Sequence, residues 1–274
     1  MNKKLNYTVM DWVNIWMETY KKANVKDGTY KIMGYIINRH IISEIGDMKI
    51  SQVRNIDCQK LINKLNNTPN TQKKVYIYLR DIFSKAVLNK LISSNPVCCK
   101  IKSLQPTPSV ALTREEQQHL ANFRFTDWRL HYYYLFMLYT GCRRSEGLKF
   151  NRESDIADGY IHIEGTKNAT SDRRIPYFKN IQLLISSMPE FDFVALKPDY
   201  VTRHIKDALP NHTLKDLRAT FATNCHEQGI YPKVVQKWMG HSNMNMTMNV
   251  YTKVLEDFEL QQAKLTDLDL DFPT

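Results

Sequence analysis

Three separated stretches of the 274-residue chain concentrate the residue types that bind phosphate. They are T-G-C-R-R-S-E at 140–146, K-D-L-R at 215–218, and G-H-S at 240–242, with Tyr251 following the last. Arginine suits a phosphate because its planar guanidinium donates two parallel, charge-assisted hydrogen bonds. Arg143 and Arg218 together would hold both non-bridging oxygens of one phosphoryl group. Lys215 and Arg218 are three apart, so on a helix they share a face opposite the apolar side of Leu214, Leu217 and Phe221. That face would look into a cleft. Taken singly, Arg143 reads as an exposed helix cation and Tyr251 as a half-buried aromatic, and only the set together points to phosphate chemistry.

The elements that must position these residues follow from local signals. Thr113 with Glu116 forms a capping box opening a helix to about residue 123, and Asp127 can cap a long apolar helix that Gly141 stops. The aromatic run 132–136 then reads as core packing rather than a base-stacking platform. A short helix starts near Arg143. Alternation in YIHIE at 160–164 and a second apolar run at 173–177, joined by GTKNATSD, predict a β-hairpin with Lys167 near its tip. Residues 213–228 read as a helix ended by Gly229, and a further helix runs from Pro232 to a stop at Gly240. Upstream, Val9, Trp12, Val13 and Trp16 fall at helical spacing. Residues 30–41 and 75–88 repeat the pattern, with a shorter helix at 57–65 between them. Pro106 and Pro108 sit among small polar residues and predict an extended connector. The expected organisation is a helical domain at 1–103, a linker at 104–111 and a second domain at 112–274.

Charge is distributed unevenly between these parts. Residues 1–105 carry 18 lysines and arginines against seven acids, whereas the remainder carries 20 against 21. The whole excess of +10 therefore lies in the first third, which favours a polyanionic partner, and the absence of an amphipathic anchor favours nucleic acid over lipid. At 43% apolar and 24% charged residues, a disordered chain and a low-complexity fibre are both disfavoured. The longest nearly apolar stretch, 132–142, is too short to span a bilayer, and the N-terminus lacks an apolar signal core, so a cytoplasmic address without membrane association is expected. Five cysteines give neither a disulfide framework nor a paired zinc pattern. Cys142 and Cys225 read as inert core thiols, His212 as a surface histidine and Arg144 as a surface arginine.

The boxes resemble those of the tyrosine recombinase (phage integrase) family: T-G-x-R-x-x-E, a hairpin lysine, H-x-x-R, G-H, and a tyrosine about ten residues later. Here they stand as Thr140-Gly141-Cys142-Arg143-Arg144-Ser145-Glu146, Lys167, Lys215-Asp216-Leu217-Arg218, Gly240-His241 and Tyr251. W-x-x-x-Y (Trp16, Tyr20), R-H-I at 39–41, I-F-x-x-A at 82–86 and N-P-V at 95–97 resemble the helical core-DNA-binding domain of the same family. The resemblance spans essentially the whole chain, and starts at the core-binding domain with no arm-binding domain before it. It implies a mainly α fold with a small antiparallel sheet in the catalytic domain, arranged as a two-domain C-shaped clamp around duplex DNA.

It also implies a chemistry. Tyr251 would be the nucleophile, forming a covalent 3′-phosphotyrosine and releasing a 5′-hydroxyl, with neither ATP nor metal required and no cofactor. A tyrosine pKa of about 10 makes it dependent on a positive neighbourhood and a proton acceptor. Arg143 and Arg218 would stabilise the pentacoordinate transition state, Lys167 would protonate the leaving 5′-oxygen, and Glu146 would orient the site. His241 would hydrogen-bond the phosphate or assist Tyr251. At Lys215 the chain departs from the family's usual histidine, and a lysine is a poor base, so its role would be electrostatic. Lys167 also reads as a solvated hairpin lysine, because Arg173 and Arg174 lie close by.

After Tyr251 the chain turns acidic, with Lys253 and Lys264 against Glu256, Asp257, Glu259, Asp267, Asp269 and Asp271, interleaved with apolar residues such as Leu255, Phe258 and Leu265. Met244, Met246 and Met248 just before Tyr251 read as packing for a mobile segment. In the resembling family such tails dock on a neighbouring protomer, which implies a homo-tetramer on two DNA sites and leaves an accessory directionality factor as a further candidate partner; a tail folded back on its own domain is the other reading. Three functions are compatible with the residues: site-specific recombination for integration or excision of a mobile element or phage, DNA binding by a catalytically impaired relative, and monomeric DNA relaxation. The interleaved tail disfavours the last.

Overall fold

The structure, a computed structural model, describes residues 6–66, 68–101, 109–165 and 169–243. It divides into two compact units, 1–106 and 107–274.

Unit 1 is helical: α1 (Val9–Trp16), α2 (Asp27–Ile37), α3 (Ser43–Ile45), α4 (Asn55–Asn63) and α5 (Pro69–Leu88). The Thr8 hydroxyl accepts from Asp11 N–H while Asp11 accepts from Thr8 N–H, which fixes where α1 starts. The periodic residues Val9, Trp12, Val13 and Trp16 are all buried, and the two indoles also make polar ties to α5. Trp12 Nε1 donates to Ile82 O at 2.9 Å and Trp16 Nε1 to Asp81 Oδ2 at 3.2 Å. The N-P-V box is a local turn, with Val97 N–H on Asn95 Oδ1 and the Asn95 amide on Arg80 O. The predicted third helix begins earlier than its apolar run, at Pro69, because proline suits a first helical position.

Unit 2 holds α6 (Arg114–Asn122), α7 (Trp128–Thr140), α8 (Arg144–Gly147), β1 (Ile156–Ala157), β2 (Tyr160–Ile163), β3 (Arg173–Pro176), α9 (Lys179–Ser187), α10 (Pro198–Ala208), α11 (Leu214–Glu227) and α12 (Pro232–Met239). The sheet is antiparallel in the order β1-β2-β3, with Ile161 opposite Ile175 on the buried face. The strand β1 was not read from sequence; Asp158 and Gly159, both left-handed, close its hairpin with β2. Nor were α9 and α10. The apolar helix α7 forms the centre of the core, with Tyr133, Tyr134 and Phe136 fully buried as expected. The two tyrosine hydroxyls donate to Arg144 O and Val201 O, so packing these rings leaves no polar atom stranded. No described helix is long and apolar enough to cross a membrane.

Three contacts seat α11, the helix that carries K-D-L-R. Val110 N–H donates to Asp216 Oδ1, Leu112 N–H donates to Thr220 Oγ1, and Gln117 and Asn224 exchange amide bonds. His212, expected at the surface, is instead buried: its Nε2 lies 2.9 Å from Glu116 Oε1, which pins the entrance of α11 to α6. Burial is made tolerable by that carboxylate, 96 residues away and invisible to local spacing.

Gly141 ends α7 at φ +60°, and a Cβ there would lie 2.4 Å from a Phe221 ring carbon. Gly229 has φ +72° with nothing within 4 Å. Thermal melts should therefore separate the two: Gly229→Ala loses about 1 kcal/mol from backbone strain alone, and Gly141→Ala about 3 kcal/mol from strain plus overpacking. Equal losses would show that Phe221 yields freely.

Candidate active site

The site of unit 2 assembles around one carboxylate and one helix end. Glu146 lies on the single turn of α8, directly after the glycine that stops α7, and its side chain has no exposed surface. Arg143 Nη1 donates to Glu146 Oε1 at 2.6 Å and its backbone N–H to Oε2 at 2.8 Å. On the other side Arg173 Nη1 donates to Oε2 at 3.1 Å. Burial pushes the Glu146 carboxyl up, but Arg173, the Arg143 N–H and the Arg143 guanidinium outweigh it and hold the group below the usual glutamate value.

The helix end is the C-terminus of α12, whose last carbonyls have no partners within the helix. Three guanidinium groups supply them. Arg173 Nε donates to Trp238 O, Arg218 Nη2 to Met239 O, and Arg143 Nη2 to Gly240 O at 3.2 Å. Arg218 Nη1 reaches across to Gly141 O at the end of α7. Both helix ends are closed by left-handed glycines, Gly141 at φ +60° and Gly240 at φ +61°, and cations at helix C-termini are favoured by the helix dipole. Each terminal nitrogen of Arg218 uses one of its two N–H groups on a carbonyl, so the fork retains donors for an anion.

Crowding three cations around one carboxylate shifts their neighbours. Burial first, then the Arg143 and Arg173 charges, lowers Arg218 to about 9, and an arriving anion would relieve this. The same causes, with Arg218 foremost among the charges, lower His241 to about 4, so its ring is neutral near pH 7. Its backbone is held by Gln236, which accepts from His241 N–H and donates to His241 O. Cys142 is fully buried and pushed up to about 11, an inert thiol despite its place beside Arg143.

Of the residues predicted from sequence, the structure brings together Arg143, Glu146, Arg218 and His241. Lys215, one turn before Arg218, stays exposed with no hydrogen bond or ion pair among the described residues, so the two do not share the cluster. Arg144 is exposed and donates to Thr202 Oγ1 on α10. Lys167, Tyr251, the methionines 244–248, the acidic tail and most of the linker lie outside the described residues. The reading from sequence missed Arg173, noted only as a neighbour of the hairpin lysine; the one available signal was an arginine on the inward face of a strand that alternates with Ile175.

A histidine kept neutral by folding makes stability fall on the acid side. Between about pH 6.5 and pH 4 the unfolded chain binds a proton at His241 that the folded chain refuses, costing on the order of 2 kcal/mol by pH 4. Glu146 adds to the loss only below its ordinary value near 4.5. His241→Gln should accordingly shrink the drop in Tm between pH 7 and pH 5. An unchanged drop would place the titrating group elsewhere.

Comparison with known proteins finds relatives along most of the chain. Residues 8–66 match the phage integrase N-terminal SAM-like domain, and residues 199–257 match the phage integrase family. The chain is 23% identical over 300 residues to the transposase from transposon Tn916 of Enterococcus faecalis, covering 89% of this chain and 74% of that protein. Among solved structures, a lambda integrase dimer bound to a COC′ core site superposes with a TM-score of 0.80 at 18% identity, covering 91% of this chain and 78% of that one. The Tn1549 transposon integrase in complex with transposon right-end DNA gives 0.70 at 19% identity, over 96% and 100% of the two chains. Two phage integrase models are thus matched in chain order, and over most of its length the chain is similar to tyrosine recombinases and integrases.

Proposed function

We propose that the protein is a site-specific DNA recombinase that cuts and rejoins duplex DNA through a covalent 3′-phosphotyrosine at Tyr251, serving the integration or excision of a mobile element or phage. The observation that carries this reading is the convergence of the Arg143 and Arg218 forks with the neutral His241 at one helix end. Two fixed guanidinium groups with donors to spare suit a phosphodiester that gains charge as it becomes pentacoordinate. The Tyr251 oxygen attacks phosphorus and the bond to the 5′-oxygen breaks. The tyrosine proton passes to an acceptor, a role His241 takes up only as the arriving phosphate offsets the guanidinium charges that depress its basicity, and Lys167 gives a proton to the departing oxygen. Rejoining is the reverse: a 5′-hydroxyl attacks the phosphotyrosine and tyrosine leaves. Because the ester energy is kept in the enzyme–DNA bond, the cycle calls for neither ATP nor a metal.

Residues 1–105, with their net excess of positive charge, form a core-binding domain that neutralises phosphates along the duplex, and residues 112–274 form the catalytic domain with its exchange tail. Each active site cuts one strand, so exchange between two duplexes takes four protomers, with the tail after Tyr251 linking neighbours. The workplace is the cytoplasm. A DNA-binding protein that no longer recombines is the second reading, motivated by Lys215, an exposed lysine where the family carries histidine.

A denaturing trap of covalent protein–DNA adducts in cells carrying the native locus tests both. Adducts from the unsubstituted protein, mapped to short inverted repeats and absent from Tyr251→Phe, are expected. Equal DNA binding with no adduct from either protein would select the second reading. With the site in hand, Arg143→Ala and Arg218→Ala should each lower single-turnover cleavage by about 100-fold or more while DNA binding persists; a retained cleavage rate would remove that residue from the site.

A further inference from the structure

Arg173 has no task in the reaction above, yet the site is built around it. Its side chain is 3% exposed, so it cannot touch DNA. From β3 it donates to three different elements: Glu146 Oε2 on α8, Ser171 O at 2.8 Å in the turn before the strand, and Trp238 O at the end of α12. Its remaining terminal nitrogen, Nη2, is buried with no hydrogen-bond partner among the described residues. Stability does not explain such a residue. A buried ion pair contributes little net stability against an apolar replacement, and an unpaired buried donor costs more.

What the arginine does fix is the position of the other two forks. Gly240 packs directly on it: a Cβ there would lie 3.1 Å from Arg173 Cδ, 3.2 Å from Nη1 and 2.9 Å from Thr170 O. The Gly240 carbonyl that Arg143 binds, and the Met239 carbonyl that Arg218 binds, are therefore set by how the turn rests on Arg173. The second anchor of Arg143, Glu146, is held from the opposite side by the same guanidinium.

We propose that Arg173 is a positioning residue for strand cleavage, which joins Glu146, the turn before β3 and the C-terminus of α12 into one rigid mount for Arg143 and Arg218. This rests on the recombinase reading of the site. Its mode of action is also electrostatic, because the groups facing Glu146 are Arg143 and Cys142 beside α8, Arg173 on β3, Arg218 on α11 and His241 after α12, and among these cations Arg173 does most to keep the buried carboxyl ionised.

The test is single-turnover cleavage of a nicked duplex carrying the site recovered by adduct trapping, with Arg173→Lys and Arg173→Gln, alongside DNA binding and thermal melts. Arg173→Gln should bind DNA within about twofold of the unsubstituted protein and cleave about 100-fold more slowly, the scale expected when catalytic groups lose their aim by about 1 Å. The acid limb of its rate–pH profile should move to higher pH, because Glu146 then protonates sooner. Arg173→Lys restores the charge without the fork, so its acid limb should stay in place while cleavage remains about tenfold slow. Cleavage at the unsubstituted rate by both variants, an unmoved acid limb in a folded Arg173→Gln, or loss of binding in step with cleavage would overturn the proposal. Should Arg173→Gln fail to fold, Arg173→Lys decides alone: full cleavage overturns the proposal and slowed cleavage with unchanged binding supports it. No adduct from the unsubstituted protein would overturn the recombinase reading instead.

Discussion

A carboxylate with no exposed surface is the constraint on which the second unit depends. Glu146 can stay ionised only if cations and N–H donors replace the water it has lost, and the fold supplies Arg143 from its own turn and Arg173 from the sheet. Those two arginines in turn need acceptors for their other N–H groups. They find them, with Arg218, in the carbonyls that α12 leaves unpaired at its end. The arrangement solves two problems at once, the orphan carbonyls of a helix terminus and the N–H donors of one buried and two half-buried guanidinium groups. Removing either partner would expose the other's cost.

The same arrangement explains why the cluster is receptive to an anion without collapsing in its absence. Three guanidinium groups near one carboxylate leave an excess of positive charge, which adds to burial in lowering the pKa of Arg218 and in keeping His241 neutral. Carbonyl oxygens carry only partial charge, so they orient the forks but do not neutralise them. A bound phosphodiester would complete what the carbonyls begin. Preorganisation of this kind places the cost of gathering like charges in folding rather than in the reaction.

Local signals were legible and long-range ones were not. The capping box of Thr113 and Glu116, the Asp127 cap and the left-handed stops at Gly141, Gly229 and Gly240 each depend on residues within four positions, and all appear where the sequence puts them. Arg143, Glu146, Arg218 and His241 could be named because each stands in a short box. Arg173 could not, since its partners are 27 and 65 residues away. His212 was misplaced for the same reason: nothing near it in sequence announces Glu116. The helices α9 and α10 escaped the reading, although Ile181, Leu184 and Ile185 carry the helical pattern in α9, as do Pro198 at a helix start and Val201, Ile205 and Ala208 in α10. Lys215 shows the opposite limit, where correct spacing on a helix did not decide which of two neighbouring cations turns inward.

The separation of the arginines from their acceptors along the chain also has a bearing on biosynthesis. The hydrogen bond from Arg143 to Gly240 closes 97 residues, that from Arg218 to Gly141 closes 77, and that from Arg173 to Trp238 closes 65. Contacts of such long range form late, after the loops they close have been ordered. Every arginine of the cluster leaves the ribosome before the carbonyls at the end of α12 that hold it, although Gly141, the other acceptor of Arg218, precedes it. A nascent or truncated chain that stops short of Trp238 therefore carries the three cations without the helix end that holds them, and the forks acquire their common orientation only with the completed second unit.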